Sequence, residues 1–121
     1  MPEKTKFALI TKPKDDFSII YLNGFLDAHT APKLEEALKN LIENEQYKII
    51  VNFEELEYIS SAGLGVFMAF IEEIREKNGD IKLCCMKPRV FSVFDLLGFP
   101  LLFDILESEA LAFDKFNEKS E

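Results

Sequence analysis

The sequence predicts an α/β fold: an open, largely parallel sheet that begins with one antiparallel strand. Three observations carry this. Strand-like runs alternate with amphipathic helical segments in the order β-β-α-β-α-β-α-(β)-α. The run "KIIVNF" (48–53) is apolar at consecutive positions, the pattern of a strand buried on both faces of a parallel sheet. Two short strand-like runs near the start are separated by turn formers, which makes an antiparallel hairpin.

The hairpin joins "KFALI" (6–10) to "FSIIYLNG" (17–24), with Pro13, Asp15 and Asp16 of "TKPKDD" forming the turn. From Thr30 to about Asn44, Leu34, Ala37, Leu38, Leu41 and Ile42 share one helical face, with Lys33, Glu36, Lys39, Asn40 and Glu43 outside it. Thr30 stands at the N-cap, and Pro32 is tolerated in a first turn whose amides lack intrahelical acceptors. "KIIVNF" follows as the central strand, the acidic "EELE" (54–57) as a connector and "YIS" as the approach to a second helix. That helix holds Leu64, Phe67, Met68, Phe70, Ile71 and Ile74 on its apolar arc, and Ala69, Glu72, Glu73 and Glu76 on its wet side. It is expected to stop near "KNGD", with Lys77 at the negative end and Gly79 in the C-cap conformation.

"IKLCCM" (81–86) is a fourth strand, and "PRVFSVFDLLG" a short helix opened by Pro88 and closed by Gly98. "LLFDI" is a last short strand or turn, and "ESEALAFDKF" a C-terminal helix. The phenylalanine-rich "VFSVFDLLGF" is open to two readings, core or contact surface, of which core is the default for a small domain with 12 phenylalanines. At 121 residues and 48% hydrophobic content, one domain spanning 1–121 is expected, ordered over about 6–116 with frayed ends.

Fourteen Lys and Arg against 22 Asp and Glu leave a net charge of −8, which repels phosphate backbones and anionic lipid. Neither nucleic acid nor membrane is an expected partner; a basic or neutral protein is. Cys84 and Cys85, adjacent in a predicted strand, should point to opposite faces and not pair with each other, which suits a reduced compartment. "MPEKTKFALI" has no signal-peptide core, and no run approaches the ~18 apolar residues of a membrane span, so a cytoplasmic location is expected.

The functional question centres on "YISSAGLGV" (58–66). Right-handed crossovers bring Gly24–Thr30, Tyr58–Gly65 and Met86–Pro88 to one sheet edge, where ligands of open α/β sheets bind. Asp27, His29, Thr30, Ser60, Ser61 and Lys87 are therefore candidates for one surface. Ser60 and Ser61 occupy a strand-to-helix corner, where a hydroxyl caps and an anion is welcome. Gly63 and Gly65 each weaken the helix by roughly 1 kcal/mol relative to alanine, a cost that close approach of another backbone, from the fold or from a partner, would offset.

Serine catalysis needs a base and an orienting acid, yet the chain has one histidine, His29, and no "GxSxG" turn. "GLG" satisfies neither the Walker nor the dinucleotide pattern. One histidine and two adjacent cysteines lack metal-ligand spacing. No catalytic residue, metal or cofactor is expected. Asp27 is either a turn acceptor or an electrostatic neighbour of Ser61. What remains is a pair of hydroxyls on a positive helix end, suited to modification by another protein: a phosphate adds about −1.5 to −2 charges, which a helix terminus tolerates and a tight partner surface does not.

"VNFEELEYISSAGLGVFM" resembles the signature of the STAS domain family, shared by bacterial anti-sigma factor antagonists and the cytoplasmic parts of sulfate transporters and written around "DSSGLG" or "DSAGLG". "LNGFLDAHTAPKLEEAL" resembles its earlier "GxLDxxTxxxL" segment and "DLLGFPLLFDI" its later "GLxxxFxI" segment, so the match runs in order along nearly the whole chain. The resemblance implies a single STAS-like domain: a small mixed sheet with helices packed mainly on one face. It implies a non-enzymatic anti-sigma factor antagonist that, unphosphorylated, binds an anti-sigma factor and so releases a sigma factor. The anti-sigma factor is often the serine kinase, and a phosphatase reverses the mark. Ser61 falls at the family's phosphorylated position, Asp27 at its neighbouring acid, and Gly63 and Gly65 at its glycines. The implied partner surface is Asp27, Thr30, Ser60, Ser61, Ala62, Gly63, Leu64 and Gly65. Ser60 stands where the antagonists commonly carry aspartate, which leaves it as the second choice of phosphoacceptor behind Ser61. The protein is expected to act as a monomer. Two other readings are a constitutive, unphosphorylated STAS subunit of a transport or stressosome-like assembly, and a carrier of an anion or nucleotide at the same helix end.

Overall fold

The computed structural model describes residues 6–118; the frayed ends expected outside the 6–116 core fall largely beyond them. One five-stranded sheet runs in the order β1 (Ala8–Lys14), β2 (Phe17–Leu26), β3 (Lys48–Ile59), β4 (Asp80–Cys84), β5 (Ile105–Leu106). β1 is antiparallel to β2 and every other pairing is parallel. α1 (Ala31–Glu43), α2 (Ser61–Glu76) and α3 (Pro88–Leu96) cover one face, where Leu34, Phe67 and Phe94 join Ile20, Val51 and Leu83 in the main core. α4 (Glu109–Asn117) alone lies on the other, packing Ala112, Phe113 and Phe116 near Ile19, Ile50 and Cys84. This is the small mixed α/β sheet the sequence predicts, with helices mainly on one side.

β3 is central, and Ile49, Ile50 and Val51 are fully buried, as consecutive apolar residues require. α1 is also as predicted: Leu34, Leu38 and Leu41 face inward, Ala37 and Ile42 are half-buried, and the five expected polar residues are exposed. The hairpin differs. Lys14 pairs with Phe17, so the turn is Asp15–Asp16 alone, with Asp15 at φ 57°, and Pro13 sits within the strand. β1 is an edge strand, where a missing amide costs least.

"EELE" is strand, not connector: β3 continues through it to Ile59, paired with β2. Two register shifts, between Tyr21 and Asn23 and between Gly24 and Phe25, place extra residues in β3. They leave Glu54 and Glu55 both exposed and break the two-residue alternation that would have marked a strand. In α2, Met68 is exposed and Phe70 half-buried, while Gly63 and Val66 are buried. The helix packs along a stripe rotated toward its glycine side. It ends with Asn78, not Gly79, in the left-handed region at φ 67°; the amides of Asn78 and Gly79 donate to Arg75 and Ile74. Gly79 is required for another reason, since a Cβ there would fall on the carbonyl of Tyr47.

Cys85 also departs from expectation. It lies just past β4 at φ 67°, which turns its Sγ back to 3.5 Å from that of Cys84; both thiols are free. In the phenylalanine-rich segment Phe94 and Phe99 are core, stacked edge-on at 5.2 Å, while Phe91, Leu96 and Leu97 are exposed.

Candidate functional site

β2 and β3 outrun the rest of the sheet. β4 ends at Cys84 opposite Asn52, whereas β2 and β3 stay paired to Leu26 and Ile59. This two-stranded extension carries the loop into α1 and the corner into α2 side by side. The amide of Ser60 donates to the carbonyl of Leu26 at 2.9 Å and closes the junction.

Asp27 organises the first loop. Its Oδ1 accepts the amides of His29 (3.0 Å) and Thr30 (3.2 Å), and its carbonyl accepts those of Thr30 (3.1 Å) and Ala31 (2.7 Å). The turn-acceptor role is thus realised. Thr30 occupies the N-cap position of α1, yet its hydroxyl makes no capping bond. It donates instead to the carbonyl of Phe25 at 2.8 Å and accepts the amide of Asp27 at 2.9 Å, stapling the loop to the end of β2.

The two serines differ sharply. Ser60 holds the extended backbone of an N-cap (φ −106°, ψ 174°), and its carbonyl accepts the amide of Leu64 at 3.1 Å. Its hydroxyl caps nothing: among the described residues it is the one buried side-chain polar atom without a hydrogen-bond partner. Ser61, the first residue of α2, is exposed. The first turn of α2 contains no acidic residue, so the positive end of the helix dipole is unneutralised there.

The two glycines have separate reasons. A Cβ on Gly63 would lie 2.8 Å from Cγ of Leu26 and 3.1 Å from Cγ1 of Ile59, so its bareness lets α2 settle on the ends of β2 and β3. Gly65 is exposed, with nothing within 4 Å of where its Cβ would be. Close approach within the fold accounts for the first and leaves the second open to an outside partner. Leu64 is buried and Ala62 half-buried against the core. Between the first turns of α1 and α2 lies a groove of about 320 Å³, lined by Ala28, Ala31, Ala62, Gly65 and Ala69 together with Pro32, Glu35, Val66 and Phe70.

Asp27, Thr30, Ser60, Ser61 and the first turn of α2 are therefore brought together, with His29 contributing its amide. Lys87 is not among them. Its Nζ donates to the carbonyl of Glu54 at 2.5 Å and lies 4.0 Å from Glu57, whose carboxylate also meets Arg89 at 3.6 Å. Lys87 and Arg89 so dress the flank of β3 that β4 leaves free. Two residues escaped the sequence reading: Phe25 and Tyr58, opposite each other on the extension and both exposed, with ring centroids 5.6 Å apart. Their signal was an aromatic immediately before each loop, in "GFLD" and "EYIS".

Among the described residues no imidazole or carboxylate hydrogen-bonds either serine hydroxyl, no three His, Cys, Asp or Glu side chains are grouped to hold a metal ion, and no helix is long and apolar enough to cross a membrane. The corner offers an accessible hydroxyl, unpaired helix-end amides and a shallow groove between α1 and α2.

Similarity to known proteins bears on it. The family model described as "STAS domain" matches residues 8–112. The anti-sigma-B factor antagonist of Listeria monocytogenes is 34% identical over 88 residues, covering 73% of this chain and 75% of its own. The anti-sigma factor antagonist SpoIIAA of Bacillus is 25% identical to this chain in two solved structures. Its unphosphorylated form superposes with a TM-score of 0.77 over 96% of this chain and 100% of its own. Its phosphorylated form does so with 0.68 over 91% and 98%. An anti-sigma factor antagonist from Mycobacterium paratuberculosis shares the fold at a TM-score of 0.85 and 19% identity, over 93% of this chain and 96% of its own.

Proposed function

The chain belongs to the STAS domain family, and from that premise we propose that it is an anti-sigma factor antagonist switched by phosphorylation of Ser61. Unphosphorylated, it binds an anti-sigma factor over the first turn of α2, the groove beside α1 and the Asp27 loop, and so frees a sigma factor. The anti-sigma factor is itself the serine kinase, and a phosphatase restores the binding form. The protein's own contribution is a surface, with no chemical step of its own.

The observation that carries this reading is the contrast between the serines. A kinase must bring the acceptor hydroxyl into line with the transferred phosphoryl group. The Ser61 side chain is exposed on the corner, whereas the Ser60 hydroxyl is buried. The helix end supports the rest of the cycle. A phosphate on Ser61 would sit by the unpaired amides of α2, with no carboxylate in that turn to repel it, so the fold tolerates it. A partner fitted closely over Gly65 would meet added bulk and charge at its edge. Binding is thereby lost without unfolding.

The test is to incubate the purified protein with ATP and the serine-kinase anti-sigma factor of the same organism, and to map phosphate by mass spectrometry. One phosphate on Ser61 is expected, retained in Ser60→Ala, lost in Ser61→Ala, and accompanied by loss of binding. Phosphate on Ser60 instead would refute the assignment. No phosphate together with stable, phosphate-independent binding would make the protein a constitutive STAS subunit.

A further inference from the structure

The residues of β2 that alternate with the core positions Leu22 and Leu26 face the opposite side of the sheet, among them Tyr21, Asn23 and Phe25. α4 covers the lower part of that side, where Asn52 Nδ2 donates to Glu109 Oε2 at 2.6 Å. The β2–β3 extension continues past this cover and presents Phe25 (39% exposed) and Tyr58 (47% exposed), rings tilted at 43°.

The aromatic rings lower on the same side each hold a cation from the chain. Lys12 stands over Tyr21 at 5.5 Å, Lys48 over Phe17 at 5.7 Å, Lys14 over Phe113 at 5.3 Å and Lys82 over Phe116 at 4.7 Å. Among the described residues, no Lys or Arg stands over Phe25 or Tyr58. Beside them Glu55, opposite Asn23 in the ladder, is exposed and makes no ion pair among the described residues. Two ring faces that hold no cation, and an exposed carboxylate without an ion pair nearby on the same ladder, set this patch apart from the rings below it, on a chain of net charge −8.

The pair also adjoins the serine corner. Thr30 binds the carbonyl of Phe25, and Tyr58 precedes Ser60 by two residues. We propose that Phe25, Tyr58 and Glu55 receive an arginine side chain of the anti-sigma factor, extending its footprint from the Ser61 corner onto the open sheet face; this rests on the function proposed above. Arginine suits the site because its planar guanidinium stacks on aromatic faces while donating to a carboxylate.

Titration calorimetry with the purified serine-kinase anti-sigma factor of the same organism tests this, using wild type, Phe25→Leu, Tyr58→Leu, Glu55→Gln and Ser61→Asp. Leucine keeps apolar bulk and removes the ring, and thermal melts check that each variant folds. Each leucine variant should weaken binding about tenfold, and Glu55→Gln should flatten the dependence of affinity on salt. If Ser61→Asp abolishes binding while the other three bind as wild type does, with the same salt dependence, the receptor is refuted and the antagonist function stands. If wild type does not bind at all, the function itself fails and this inference with it.

Discussion

Leu26 holds Ser60 and Gly63 at once. Its carbonyl accepts the Ser60 amide at 2.9 Å, and its side chain fills the space that a Cβ on Gly63 would need. The end of β2 thus supports the last residue before α2 and the helix's first turn, and the exposure of Ser61 follows from that support.

Gly63→Ala and Gly65→Ala should therefore act in opposite directions. At Gly63 the added methyl meets the fully buried Leu26, which cannot swing away, so overpacking should outweigh the helix-propensity gain and cost about 1–2 kcal/mol. At Gly65 the methyl enters open space and should stabilise by about 0.5–1 kcal/mol. Urea denaturation reads both, and equal effects would contradict the packing described. On the proposed docking surface, Gly65→Ala should also weaken anti-sigma factor binding while the fold becomes more stable.

Ser60→Ala should be neutral or slightly stabilising. A capping serine replaced by alanine costs about 1 kcal/mol. The Ser60 hydroxyl instead makes no hydrogen bond and is buried, and removing an unsatisfied buried group relieves its desolvation penalty. A loss near 1 kcal/mol on denaturation would mean that the hydroxyl caps α2 in solution.

Lys82→Met should destabilise by about 2 kcal/mol near neutral pH. The Lys82 side chain is nearly buried, its Nζ is 2.8 Å from both Asp80 and Asp104, and it lies over Phe116. Methionine fills the stem's space but leaves the two aspartates together, and partial solvent access to Asp104 moderates the cost. Burial opposes the ammonium charge, yet the hydrogen bonds and charges of Asp104 and Asp80 outweigh it and raise the pKa. The lysine's contribution is thus present below its unfolded pKa of about 10.4 and lost as pH rises through the higher folded value. Denaturation midpoints at pH 7 and above pH 10.5 should show the gap between wild type and Lys82→Met closing.

Alkaline weakening should start earlier, at the thiols. Burial, and then the neighbouring Cys85, push the Cys84 thiol well above its ordinary value. A raised folded pKa means that the native state keeps a proton the unfolded chain releases, so stability should fall from about pH 8.5 upward. Cys84→Ala should flatten the curve of stability against pH between about 8.5 and 10, at some cost in packing at neutral pH. An unchanged slope would show that Cys84 is not the group responsible.

The order of elements, the two faces of α1, the buried centre of β3 and the place of both serines at a strand-to-helix corner were determined by the sequence alone. Each is written in a local period or a cap position, and the family motifs pointed to the start of α2 as the candidate site. Tertiary structure decided what depends on residues distant in the chain. Tyr47 explains Gly79, Leu26 explains Gly63, and pairing with β2 turns the acidic "EELE" into strand through two irregularities that local periodicity cannot register. The motif alignment ranked Ser61 ahead of Ser60, but only the fold supplies a physical difference between them, because burial of one hydroxyl and exposure of its neighbour depend on how α2 seats against β2 and β3. Local chemistry alone does not, since the two side chains are identical and adjacent.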